Sequence, residues 1–202
     1  MDGAAALGVA LDAAQAQRLL RLLDELVLWN RSYNLTAITE RGAMIRAHLL
    51  DSLAALPDLH GERIADVGTG AGFPGLPLAL SSPHLRFTLI DATAKKIRFV
   101  AHAARELGLS NVSAVQARVE TLRPDPPFDT VLARACAALP ELLQRVAVLC
   151  GPASRVVALK GRYPAAELAA LPERWRLLGA RAVRIAGLDA ERHILTLAMH
   201  PG

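Results

Sequence analysis

Between Ile64 and Leu80 the chain runs through a short apolar stretch, a turn holding Gly68, Gly70, Gly72 and Gly75, and a helix-like segment. Glycine takes positive φ at little cost and lets a ligand approach the main chain. A turn of this kind, between a buried strand and a helix, holds a nucleotide-like cofactor. Asp66 precedes the glycines, and Asp91 closes the next apolar run, 21 residues after Gly70. A carboxylate in that place can accept hydrogen bonds from both hydroxyls of a ribose. Gly70-Ala71-Gly72-Phe73-Pro74-Gly75 also matches the GxGxxG of dinucleotide sites, whose third glycine lies inside a helix that faces pyrophosphate. Here Pro74 and Pro77 flank Gly75, and proline suits the first turn of a helix, not its interior. The helix is therefore expected to start near Pro74 to Pro77, later than a dinucleotide fingerprint requires. Asp91 serves NAD equally well and does not discriminate.

The frame Asp66-Val67-Gly68-Thr69-Gly70-Ala71-Gly72 resembles the first motif of the class I S-adenosylmethionine-dependent methyltransferases. That resemblance implies a turn whose main chain lies against the methionine half of the cofactor. Methyl transfer from a sulfonium needs an acceptor held in line and at close range. It requires neither a metal nor a covalent residue, so no metal site is expected. Two strings suggest other chemistry. Asp125-Pro126-Pro127-Phe128 is similar to the motif of amino-group methyltransferases, but it precedes the fourth strand instead of following it, and reads as a loop. Cys136 does follow the fourth strand, where a thiolate would attack C6 of a cytosine, yet no proline precedes it. A lone cysteine of this kind reads more simply as a small buried residue.

These residues need a scaffold, and the hydrophobic pattern describes one. Leu19, Leu22, Leu23 and Leu26 have helical spacing, so an amphipathic helix is expected from about Leu11 to Trp29, with Asp12 as its N-cap. Asn30 to Asn34 reads as a polar break, and Ala43 to Ala55 as a second helix stopped by Pro57. From Arg63 strands and helices alternate. Strands are expected at Ile64–Val67, Arg86–Ile90, Val112–Gln116, Phe128–Ala133 and Val156–Leu159. Helices are expected at Gly75–Leu80, Lys95–Leu107, Leu139–Leu149 and near Ala165–Leu171, with Gly108 at a C′ position. Trp175–Ile185 and Ile194–Met199 close the chain as an antiparallel pair around Gly187-Leu188-Asp189. The pattern predicts an α/β, Rossmann-like fold. Its sheet is mainly parallel, with helices on both faces and an antiparallel C-terminal strand. Residues 1–60 form an N-terminal helical extension, and residues 61–202 the catalytic domain.

Composition narrows the class. A chain of 202 residues with 52% hydrophobic residues can build a full core, which argues against disorder. No window offers 18 uninterrupted apolar residues, so no membrane partner is expected. The opening Met1-Asp2-Gly3 carries an acid and no basic stretch, unlike a signal peptide. Cys136 and Cys150 form no CxxC pair, so neither a zinc site nor a disulfide framework is indicated. A cytoplasmic protein is the simplest reading. The net charge of +4 is compatible with a nucleic-acid partner without establishing one.

Longer segments carry a more specific resemblance. They are Trp29-Asn30-Arg31-Ser32-Tyr33-Asn34-Leu35-Thr36, Arg46-Ala47-His48-Leu49-Leu50-Asp51-Ser52 and the run Asp66–Pro77. Phe87–Phe99, Ala117-Arg118-Val119-Glu120, Leu132-Ala133-Arg134-Ala135, Ala158-Leu159-Lys160-Gly161 and Asp189-Ala190-Glu191-Arg192-His193 follow in order. With them the chain resembles the glucose-inhibited division protein B family, the bacterial 16S ribosomal RNA guanine-N7 methyltransferases. The resemblance implies S-adenosylmethionine contacts at Gly68, Phe73, Val119, Glu120 and Arg134, beside the Gly70 and Asp91 of the turn reading. It implies 16S ribosomal RNA, free or in the small ribosomal subunit, as partner; a monomer is expected. Guanine N7 has an in-plane lone pair and no proton to lose, so no general base is expected. Arg46, His48, Lys160, Arg192 and His193 are the candidate RNA-facing groups, for an unstacked guanine clamped in a pocket. Three other readings compete: a C5-cytosine methyltransferase using Cys136, an NAD-dependent oxidoreductase, and a nucleic-acid-binding protein with a vestigial site.

Overall fold

A computed structural model of the chain describes residues 1–134 and 137–200. Cys136 lies outside the described residues. Seven strands form one sheet: β1 (Arg63–Val67), β2 (Arg86–Asp91), β3 (Val112–Gln116), β4 (Phe128–Arg134), β5 (Cys150–Lys160), β6 (Trp175–Val183) and β7 (Arg192–Met199). Their order is β3-β2-β1-β4-β5-β7-β6. The first five strands pair in parallel, and β7 runs antiparallel to both β5 and β6. Strands β1 to β5 are bounded as expected within a residue or two, except that β5 begins at Cys150, well before Val156.

The alternation of side chains along the central strands builds two separate cores. Ile64, Leu132 and Val157 join the core on one face, whereas Ala65, Val67, Val131, Ala133, Val156 and Ala158 join that on the other. Period-two alternation places Asp66 on the Ile64 face. β1 has β2 on one side and β4 on the other, so the chain leaves it in opposite directions. A crevice forms beyond the carboxyl ends of the strands at such a switch point, and ligands bind there.

The N-terminal helix spans Ala13–Tyr33. Asp12 caps it as expected, in a reciprocal capping box with Gln15. Leu19, Leu22, Leu23 and Leu26 are buried in the same core as Leu78, Phe87 and Phe99. The polar break expected at Asn30–Asn34 is instead the last turn of this helix, which ends at Asn34 in the left-handed region (φ 48°). The helix continues through Asn30, whose side-chain amide captures the chain that follows. Its Oδ1 accepts from Leu35 N–H and Thr36 N–H, and its Nδ2 donates to the Thr36 carbonyl. The expected second helix is also different. α-Helical turns at Arg41–Met44 and Asp51–Leu53 flank a π-helical segment, Ile45–Leu50. π Segments are rare and cluster at functional sites. Leu139–Val146 is α-helical and its expected last turn, Ala147–Leu149, tightens to 3₁₀.

Leu23 is fully buried, whereas Leu28 on the same helix is 57% exposed. We expect Leu23→Ala to cost about 2–5 kcal/mol in urea unfolding. Leu28→Ala should stay within about 0.5 kcal/mol of the parent.

Candidate functional site

The turn after β1 is held by one buried carboxylate. Asp66 Oδ2 accepts from Thr69 Oγ1 (2.6 Å) and from Gly75 N–H (2.8 Å), the first residue of helix Gly75–Ser81. The helix thus starts where the prolines predict, with Pro74 at its N-cap. A Cβ at Gly75 would stand 2.7 Å from Asp66 Oδ2, and one at Gly72 would stand 2.3 Å from Leu76 Cδ1. These two glycines close the packing of helix on strand. Gly70 is different: it has φ +61°, and a Cβ there would meet only Gly68 O at 4.0 Å. Its open side is therefore available for a ligand to approach. Gly68 N–H and Thr69 N–H donate to the Ile90 carbonyl, at 2.9 and 3.1 Å, which ties the turn to β2. Asp66 Oδ1 is buried without a hydrogen-bond partner. An orphaned carboxylate oxygen of this kind calls for a donor. Burial pushes the Asp66 pKa up to about 6, against the hydrogen bonds from Thr69 and Gly75.

Asp91 ends β2 and is buried. Its carboxylate accepts from Gly70 N–H (3.1 Å), Thr93 N–H (2.8 Å) and Lys96 Nζ (3.3 Å). These contacts aim it, and a carboxylate offers about four acceptor positions in all. Val119 is buried in a 3₁₀ turn, Val119–Thr121, beyond the end of β3; Glu120 beside it is exposed and 3.8 Å from Arg145. The first N–H groups of such a turn have no acceptor within it.

A second group of residues gathers beyond β4 and β5. Phe73, buried at the end of the glycine turn, stacks on the His48 ring (centroids 4.8 Å apart), and the Arg134 guanidinium stands 5.8 Å from its centroid. Arg134 donates to the Ala47 carbonyl (3.1 Å) and to Asp51 Oδ2 (3.2 Å), and Arg192 Nε donates to Asp51 Oδ1 (2.7 Å). One buried carboxylate therefore sits between two guanidiniums. His48 Nε2 is 3.0 Å from Thr36 Oγ1, while its Nδ1 is buried and unpartnered. Burial, with Arg134 beside it, pushes the imidazole down to about 4, so the ring is neutral near pH 7. Lys160 Nζ donates to the Ala137 carbonyl (3.1 Å) and pairs with Glu167 (2.8 Å). His48, Asp51, Arg134, Lys160 and Arg192 line one cavity of about 370 Å³.

The structure thus places the sequence-derived residues in two adjoining sets. Gly68, Gly70, Asp91, Val119 and Glu120 stand at the carboxyl ends of β1, β2 and β3; His48, Lys160, Arg134 and Arg192 share the cavity, and Phe73 joins the sets. Arg46 lies outside the cavity lining, 3.7 Å from Glu40 and against Gly187. His193 is at the rim, its Nδ1 3.1 Å from the Gly161 carbonyl. Asp51 falls within the segment Arg46–Ser52 that carries the resemblance, but sequence reasoning did not name it as a site residue. Its partners lie 83 and 141 residues away in the chain. Burial pushes the Cys150 thiol up to about 12, so it stays protonated and is no nucleophile. No helix among the described residues is long and apolar enough to cross a membrane.

Comparison with known proteins gives the family and the fold. A family profile described as "GidB: rRNA small subunit methyltransferase G" matches residues 15–195. A protein of Methylococcus capsulatus named ribosomal RNA small subunit methyltransferase G is 49% identical over 195 residues, covering 96% of this chain and 95% of its own. One of the same name from Escherichia fergusonii is 40% identical, covering 94% of this chain and 92% of its own. Among solved structures, a SAM-dependent methyltransferase from Aquifex aeolicus superposes with a TM-score of 0.58 at 17% identity, over 78% of this chain and 93% of that one. TrmN from Thermus thermophilus gives a TM-score of 0.57 at 25% identity, over 74% of this chain and 49% of that one. The fold is that of the class I S-adenosylmethionine-dependent methyltransferases.

Two expectations follow from the geometry. Gly70→Ala should fold, losing about 1–2 kcal/mol for its left-handed backbone, yet bind S-adenosylhomocysteine at least tenfold more weakly by calorimetry. Gly72→Ala, whose Cβ collides with Leu76, should lose more stability than Gly70→Ala in urea. The second expectation concerns pH. His48 is depressed in the fold, so its contribution is present above its ordinary 6.5 and is lost as pH falls toward 4. Asp66 is raised, so its penalty is present above about 6 and is relieved as pH falls toward 3.8. Between pH 7 and 4.5, His48→Gln should lose less thermal stability than the parent, and Asp66→Asn more. Equal losses in all three would refute these environments.

Proposed function

The chain belongs to the rRNA small subunit methyltransferase G family, and on that premise we propose that it transfers a methyl group from S-adenosylmethionine to N7 of a guanine in 16S ribosomal RNA. The cofactor supplies the methyl on a sulfonium, already activated for transfer. The chain's own part is to bind, orient and exclude water. Gly68 and Gly70 let the cofactor lie against the main chain, and the aimed Asp91 carboxylate offers acceptors for the hydroxyls of its ribose. The 3₁₀ turn at Val119 and Glu120 offers main-chain N–H groups and an apolar side chain to the adenine. Phe73 supplies an apolar wall, and Arg134 a guanidinium suited to a carboxylate.

The cavity beside Phe73 is the acceptor pocket in this reading. N7 releases no proton when it is alkylated, so the pocket needs no base, and the neutral His48 serves as packing for Phe73 and a partner for Thr36. Lys160 and Arg192 line this cavity and, in this reading, donate to the O6 of a guanine whose N7 faces the methyl group. Arg46 and His193 are the outer contacts. In this reading the protein works as a monomer on the small-subunit RNA in the cytoplasm. Residues 1–60 contribute Ile38, His48 and Asp51 to the pocket, as an extension of the catalytic domain 61–202.

One observation carries the proposal. Phe73 forms the end of the glycine turn and packs against His48 and Arg134, which line the acceptor cavity, so one buried ring ties the cofactor turn to that cavity. Mass spectrometry of 16S ribosomal RNA from a deletion strain is the test. We expect the loss of one 7-methylguanosine, restored by the intact chain. An unchanged modification map would overturn the proposal.

A further inference from the structure

A larger groove, about 980 Å³, opens beside the acceptor cavity and shares Gly161 and Arg192 with it. It runs along the mouth of the β6–β7 hairpin. Arg162 and Arg184 line it and are exposed; Asp189 and Glu191 line it as well. A groove of mixed sign does not hold a polyanion by charge alone, so a further contact is needed. Tyr163 provides one. It follows Arg162 in the loop after β5, is 49% exposed, and is the only exposed aromatic among the described residues. Its ring meets His193 edge to face, with centroids 5.6 Å apart and planes at 66°. His193 is in turn held by the Gly161 carbonyl at 3.1 Å and pairs with Lys160 across the β5–β7 ladder. The ring is therefore oriented from one side while half of it faces solvent.

We propose that Tyr163 is a stacking platform for an unpaired RNA base that neighbours the methylated guanine, with Arg162 and Arg184 holding the adjoining phosphates. This rests on the reading of the chain as an RNA methyltransferase. Extracting a guanine from its strand leaves its neighbours without a stacking partner, and an aromatic ring replaces that partner whatever the base. The short path from Tyr163 through Gly161 to Lys160 keeps the stacked base close to the acceptor pocket. Fixing the ring beforehand on His193 lowers the entropy lost on binding.

The test uses the full chain and small ribosomal subunits prepared from the deletion strain. Tyr163→Ala should raise KM for the subunit about tenfold, with kcat and calorimetric affinity for S-adenosylhomocysteine unchanged. Tyr163→Phe should behave as the parent, because stacking uses the ring and not the hydroxyl. Arg162→Ala should raise KM and reduce the salt dependence of binding by about one ion. An unchanged KM in Tyr163→Ala, or equal losses in the Ala and Phe variants, would overturn the platform while the parent still forms 7-methylguanosine. A parent that methylates no guanine would instead overturn the functional reading, and the platform with it.

Discussion

A single buried carboxylate, Asp66, organises the part of the molecule on which the rest depends. One of its oxygens takes the hydroxyl of Thr69 and the first N–H of the next helix. Strand end, turn and helix start are thereby locked into one geometry. The cost is a fully buried charge whose second oxygen has no protein donor. Such a group is unfavourable in a chain selected for stability alone. It becomes intelligible as the fastener of the turn, since the geometry that leaves Gly70 open to a ligand depends on it.

The same logic recurs at Asp51, with the opposite resolution. There a buried carboxylate is fully engaged, between Arg134 at the end of β4 and Arg192 at the start of β7. The pair of guanidiniums would repel each other at this distance without it. Asp51 comes from the segment before the sheet, and its partners come from opposite sides of β5. The N-terminal helices are thus more than a covering layer, because they supply the anion that lets two cations share a cavity. The π-helical segment Ile45–Leu50 ends one residue before Asp51 and carries His48, so the irregular backbone lies where the site is assembled.

Phe73 is the hinge between these two centres. Packing and function need not be separated for it: the ring is buried, and burial is what allows it to stack on His48 while facing Arg134. Burial also keeps His48 neutral, since an imidazolium beside Arg134 in a poorly solvated place would be doubly unfavourable. A neutral pocket wall suits an acceptor atom that has no proton to give up.

Much of this architecture was legible in the chain itself. Alternating apolar runs placed the parallel strands. The flanking prolines placed the start of helix Gly75–Ser81, and Asp12 the start of the N-terminal helix, because each of these signals acts over a few residues. The glycine turn and Asp91 announced a cofactor for the same reason. What stayed hidden was decided by contacts between distant segments. Asn30 reads as a helix breaker from its type, and only the fold shows its side chain catching Leu35 and Thr36 while the helix continues. The π segment has no sequence period of its own. Asp51 and Tyr163 are an ordinary polar and an ordinary aromatic residue in one dimension. Only the sheet order, which sets β5 and β7 side by side and brings the first helices over their ends, gives Asp51 its arginines and a cavity to line, and Tyr163 the His193 ring.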